Sequence, residues 1–136
     1  MSMAKPMHVV VLYCQHCVRP EVSSATATIE KDGVVVRRVM MPCSSKLQAS
    51  NLLKVLDDGA DAVEVVACPE GACRFLVGSR AAAKRLQYAC RLLAEAHVGG
   101  NRLGMSWKSG LSADALVELG LARAQALKSP KEGVVA

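Results

Sequence analysis

The chain has 136 residues, 51% of them hydrophobic but only 3% aromatic, with 21% charged and a net charge of +5. That length suits one domain with an apolar core of Val, Leu, Ala and Met rather than of rings, and no apolar run approaches the ~20 residues of a membrane-spanning helix. Rings for stacking bases are nearly absent and the basic residues form no dense patch, which argues against a nucleic-acid binder.

In chain order, His8 to Tyr13 is a continuous apolar run and predicts a buried strand. Residues 18–32 fit no single pattern. Pro20 suits the first turn of a helix and Gly33 its end, but the Ser/Thr-rich stretch "SSATAT" weakens that helix. "VVVRRVMM", residues 34–41, predicts a second strand, closed by Pro42. Ser44 or Ser45 then caps a helix whose core face is Ala49, Leu52, Leu53, Leu56 and Ala60, with Gly59 as its stop. "AVEVVA", 62–67, predicts the third strand. The clearest helix is 79–97, with Ala82, Leu86, Ala89, Cys90 and Leu93 on one face and Arg80, Lys84 and Arg91 on another. "RLGMSW", 102–107, predicts a fourth strand, weakened by Gly104. Ser112 caps a last helix to about Leu127, and "KSPKEGVVA" is a tail. Strands alternating with helices imply a single α/β domain with a mostly parallel sheet of about four strands and flanking helices, a flavodoxin- or Rossmann-like three-layer arrangement over residues 8–127.

The six cysteines carry the functional signal. The start of the chain lacks a signal-peptide core and cleavage site, so the chain reads as cytoplasmic, and in a reducing compartment six cysteines do not read as a disulfide framework. Cys14 and Cys17 follow the first predicted strand, Cys43 the second and Cys68 the third, with Cys73 in the next turn. If those strands are parallel, all five arrive at one sheet edge, where open α/β sheets place their sites. Clustered thiolates repel one another, and a bound cation both offsets that repulsion and deprotonates them. Iron–sulfur clusters and zinc each accept such a set. Cys14 and Cys17 by themselves also fit a thiol–disulfide oxidoreductase, although that motif usually opens a well-formed helix. Cys90, on the core face of a helix, reads as a small hydrophobe, and His16 as a solvent-facing loop residue. Trp107 ends a strand at the same edge, either as packing or as a shield for a metal centre. The three histidines have no Ser or Asp partner for hydrolysis, and no glycine pattern cradles a phosphate.

Cys-x-x-Cys after a first strand, "VRRVMMPCSSKL", "LLKVLDDGADAVEVVACPEGACRFLVGSRAAAKRL" and a strand ending in Trp107 with "SG" behind it follow one another from about residue 8 to 120. In this the chain resembles the delta subunit of methyl-viologen-reducing hydrogenase and its heterodisulfide-reductase-associated relatives. The resemblance implies a small iron–sulfur protein with a [2Fe–2S] cluster, held by four of Cys14, Cys17, Cys43, Cys68 and Cys73. It implies electron transfer between a hydrogenase or other dehydrogenase and a flavin-containing heterodisulfide-reductase-like partner, rather than catalysis by the chain itself. Cys14, Cys68 and Cys73 are the expected ligands, with the fourth place between Cys17 and Cys43. The chain departs from the family pattern at Pro69, Glu70 and Ala72, where relatives often have His and Asp, at Ser45, where Gly is common, and at Gln15-His16, where a Trp is frequent. These changes leave the ligand spacing intact and fall on the residues around it. A zinc-bound interaction module and a dithiol oxidoreductase are the competing expectations. The basic row Arg80, Lys84 and Arg91 and the apolar end Val134-Val135-Ala136 are the candidate docking features for a protein partner.

Overall fold

A computed structural model describes residues 6–22, 26–41, 48–67, 78–96 and 102–128, the side chains of residues 16, 78–82 and 128 excepted. The elements are β1 (Met7–Cys14), β2 (Ala27–Lys31), β3 (Val34–Met41), α1 (Ala49–Asp57), β4 (Ala62–Ala67), α2 (Gly78–Glu95), β5 (Leu103–Trp107) and α3 (Ala113–Lys128), with one 3-10 turn at Gln15–Cys17. They form a five-stranded sheet in the order β2-β3-β1-β4-β5. β1, β3, β4 and β5 run parallel, and β2 is antiparallel to β3.

β1 and β4 are apolar along almost their whole length because helices cover both of their faces. Val9, Val11 and Tyr13 point to the side of α3, where they meet Leu116, Val117 and Ala124. Val10 and Leu12 point the other way, onto α1 and α2, with Leu52, Leu86, Ala89, Cys90 and Leu93. This period of two sorts the strand residues between two cores. The helical period of 3.6 places Leu86, Ala89, Cys90 and Leu93 on one buried stripe of α2, as their spacing predicts. Gly59, at φ +119°, ends α1 as expected of a glycine just past a helix.

The strand count is where the sequence expectation falls short. Residues 27–31, within the stretch that fits no single pattern, are a strand paired in register with β3, from Lys31 opposite Val34 to Ala27 opposite Arg38. Asp32 (φ 54°) and Gly33 (φ 76°) form the two-residue turn between them. Positive φ at both central positions is the type I′ geometry whose twist matches two antiparallel strands, and Asp-Gly is among its preferred sequences. That local signal, with the β-branched residues Thr28 and Ile29, outweighs Pro20 as a helix start.

α3 lies close against the sheet at Gly120. A Cβ there would stand 2.8 Å from Val36 Cγ1 and 3.0 Å from Val11 Cγ2. Both valines are fully buried, so the clash cannot be relieved toward solvent. Gly120→Ala should destabilise the fold by about 1–3 kcal/mol through overpacking, despite the better helix propensity of alanine. A urea titration checks this, and a midpoint at or above wild type would show that the helix can lift without cost.

Candidate metal centre

The chain runs from β1 out to β2 and β3 on one side of β1, then crosses through α1 to β4 on the other side. β1 therefore stands at the point where the strand order reverses, and the crevice outside the carboxyl ends of its strands is where open α/β sheets bind their groups. Register fixes what reaches that edge. Tyr13 pairs with Met40 and Val66, Cys14 pairs with Met41, and Ala67 pairs with Trp107. Four parallel strands thus end almost level.

Cys14 is the last residue of β1, and Cys17 closes the 3-10 turn that follows. Both are in the buried cluster on the α3 side, at 1% and 0% exposure. The Cys17 thiol donates to the carbonyl of Val66 at 3.9 Å. A thiolate cannot donate that bond, so ligation by Cys17 would give it up. Cys43 stands two residues beyond Met41 in the chain, and Cys68 follows Ala67 directly. Cys43, Cys68 and Cys73 themselves lie outside the described residues, as do Pro69, Glu70 and Ala72. Among the described residues no group of three or more His, Cys, Asp or Glu is placed to hold a metal ion. Cys90 is elsewhere. It packs between α2 and β5, its thiol donates to the Leu103 carbonyl at 3.9 Å, and burial pushes its pKa up.

The buried thiols suit a metal ligand set better than an exchange dithiol, because thiol–disulfide exchange needs an accessible thiolate. The backbone after Cys17 points the same way. Val18 forms a parallel bridge with Leu111, and Pro20–Val22 is a turn and a bend, so no α-helix opens at this Cys-x-x-Cys among the described residues.

The sequence profile of the family described as "Methyl-viologen-reducing hydrogenase, delta subunit" matches residues 9–128. The chain belongs to that family. Among its relatives, the vhu iron-sulfur protein of F420-non-reducing hydrogenase from Methanocaldococcus jannaschii is 38% identical over 82 residues, 60% of this chain and 61% of the relative. The protein of the same description from Methanococcus voltae is 28% identical over 116 residues, 85% of this chain and 86% of the relative. The iron-sulfur protein of F420-non-reducing hydrogenase from Archaeoglobus profundus is 27% identical over 103 residues, 76% of this chain and 75% of the relative. The match thus spans about three fifths of the length of the Methanocaldococcus relative and most of the length of the other two. In this delta-subunit family member, no helix among the described residues is long and apolar enough to cross a membrane.

Two features of the delta-subunit fold escape a reading of motifs. Glu64, in the middle of central strand β4, is buried at 4% exposure, with its carboxylate held by Arg123 Nε at 2.8 Å and by the hydroxyl of Ser106. A charge in "AVEVVA" was the available signal, since a buried carboxylate demands a partner. The other is the connection from β5 to α3. Its Leu111 N–H donates to the Cys17 carbonyl at 3.0 Å, and Arg19 N–H donates to the Leu111 carbonyl at 2.9 Å. Trp107, at the end of β5, is 49% exposed rather than packed. On α2 the exposed Lys84 and Arg91 flank Tyr88, itself half exposed, with the Arg91 guanidinium 5.8 Å from the ring centroid. The Arg80 side chain and residues 134–136 lie outside the described residues.

Proposed function

We propose that this chain is a cytoplasmic electron-transfer protein holding a [2Fe–2S] cluster at the carboxyl edge of its sheet. It relays single electrons between a hydrogenase or other dehydrogenase and a flavin-containing heterodisulfide-reductase-like partner. The observation that carries this reading is the delivery of the Cys14–Cys17 loop, and of the chain just before Cys43 and Cys68, to one level edge at the switch point of the sheet. Family membership and the iron–sulfur descriptions of the relatives support it.

On this reading Cys14, Cys68 and Cys73 are ligands, with Cys17 or Cys43 as the fourth. Bound there, the cluster supplies a one-electron redox couple. The chain's own part is to bring thiolates together on rigid strand ends, to keep water from them, and to set hydrogen bonds around the sulfurs. The surplus thiol adjusts that environment or replaces a ligand. Reducing equivalents must then pass to another protein, and the exposed Trp107 at the edge and the Lys84–Tyr88–Arg91 face of α2 are the surfaces suited to an acidic partner.

Anaerobic purification followed by iron, acid-labile sulfide and zinc analysis tests the proposal. The expected result is a brown protein with two irons and two sulfides per chain, reduced by one electron. A colourless protein with one zinc would replace it with the interaction-module reading. Transfer to a flavoprotein acceptor should slow as salt rises, because exposed charges are screened beyond roughly 10 Å at 0.1 M ionic strength.

A further inference from the structure

The β5–α3 connection does more than join two elements. β5 stands two strands away from β1 in the sheet, yet the chain after Trp107 returns to the Cys-x-x-Cys loop within four residues. Lys108 N–H donates to the Ala67 carbonyl at 3.1 Å, tying the connection to the last described residue before Cys68. Three residues on, Leu111 bonds to Cys17 and Arg19, and Val18 bridges to Leu111. The Arg19 guanidinium, through Nε, donates to the Gly110 carbonyl at 3.1 Å. Ser112 then caps α3, its hydroxyl accepting from Ala115 N–H at 3.2 Å. The connection is therefore a strap across the carboxyl edge, fastened to β4 at one end and to the cysteine loop at the other.

Gly110 is the bend in this strap. Its φ is +67°, in the left-handed region, and a Cβ built there would meet nothing within 4 Å. The requirement for glycine is thus one of backbone conformation and not of space.

We propose that residues 108–112 are the positioning element of the Cys14–Cys17 loop, with Gly110 and Arg19 as positioning residues that fix the Cys17 backbone and so the surroundings of the edge thiols. No group in the strap is required to touch a metal. The strap acts through the Leu111–Cys17 and Arg19–Gly110 bonds. Its consequence for a cluster rests on the proposed iron–sulfur reading; its consequence for the loop does not.

The test uses Gly110→Val, in which a β-branched residue resists φ +67°, and Gly110→Asn, which tolerates that region and serves as the rescue. Because the position is open, neither side chain should prevent folding, and circular dichroism with a melting curve checks this. In iron-free protein under reducing conditions, alkylation of Cys17, located by peptide mass spectrometry, should be roughly tenfold faster in Gly110→Val, as a left-handed non-glycine residue favours opening of the loop. Gly110→Asn should restore a rate near wild type, and Arg19→Ala should accelerate it less than Gly110→Val. In iron-loaded protein the same variants should shift the reduction potential and the electron paramagnetic resonance line shape, again with rescue by Asn. A folded Gly110→Val protein whose Cys17 reactivity matches wild type overturns the strap. Wild-type protein that takes up no iron overturns the iron–sulfur reading instead, and the alkylation rates then decide the strap by themselves.

Discussion

Replacing Cys68 or Cys73 by serine is expected to abolish cluster binding or weaken it severely, while Cys90→Ala leaves the cluster in place. A [2Fe–2S] cluster takes four thiolates, and a serine hydroxyl neither ionises as readily nor matches sulfur as a soft ligand. Cys68 follows the end of β4 at the edge where Cys14 and Cys17 sit. Cys90 belongs to the opposite core, between Leu86, Leu93 and Leu103. Burial raises its pKa, disfavouring the thiolate that a metal needs. Trimming it should cost only the modest stability typical of shortening a core side chain. Iron and sulfide per chain, with the visible absorbance, give the readout. Bleaching by Cys90→Ala together with full iron in Cys68→Ser would move the site to the wrong core.

Arg123→Met is expected to be the most destabilising of the substitutions considered, by roughly 3–5 kcal/mol, since it leaves a buried carboxylate without its cation. Glu64 is almost fully enclosed, and Arg123 reaches it from α3 with only 20% of its own side chain exposed. Ser106 remains as a neutral donor and compensates in part. Gly104→Ala should act through the same contact. A Cβ at that position would overlap the Arg123 guanidinium, at 1.8 Å from Nη2 and 2.2 Å from Cζ. The glycine that weakens β5 as a strand is thus the opening through which Arg123 reaches Glu64. Chemical denaturation distinguishes the outcomes: Arg123→Met within about 1 kcal/mol of wild type would mean that the fold does not depend on the Glu64–Arg123 pair.

The parallel strands and the core faces of the helices were legible from their patterns, but the start of α1 was not: it begins at Ala49 with Gln48 at its N-cap, rather than being capped by Ser44 or Ser45. Ala62–Ala67 and Val34–Met41 were readable to the residue from Val-rich runs between turn formers, interrupted only by Glu64 and by Arg37-Arg38, and the Leu86–Leu93 stripe from its helical spacing. β2 was not, since an edge strand with four of five residues exposed has no apolar pattern to read. Its only strong mark is Asp32-Gly33, a turn signal rather than a strand signal. For the site, the spacing of the cysteines and the rule for parallel sheets identify an edge. They do not identify the strap, because Leu111 acts through its backbone N–H and C=O, which any residue supplies, and the Arg19 side chain bonds a backbone carbonyl 91 residues away in the chain. The Glu64–Arg123 pair was half visible: a charge in a buried strand announces a partner, but a sequence separation of 59 hides which one.

The Asp32-Gly33 turn has a practical use. It sits at the amino end of β3, whereas Cys14 and Cys17 stand at the carboxyl edge, so the length of an eight-residue strand, about 26 Å, separates them. Nothing lies within 4 Å of a Cβ built at Gly33. A short affinity peptide spliced into that turn would anchor the molecule to an electrode with its cysteine edge facing the solution, while a tag at the edge itself would cover it. Voltammetry of the two immobilised forms, with a soluble redox partner added, would then report from opposite ends of the same sheet.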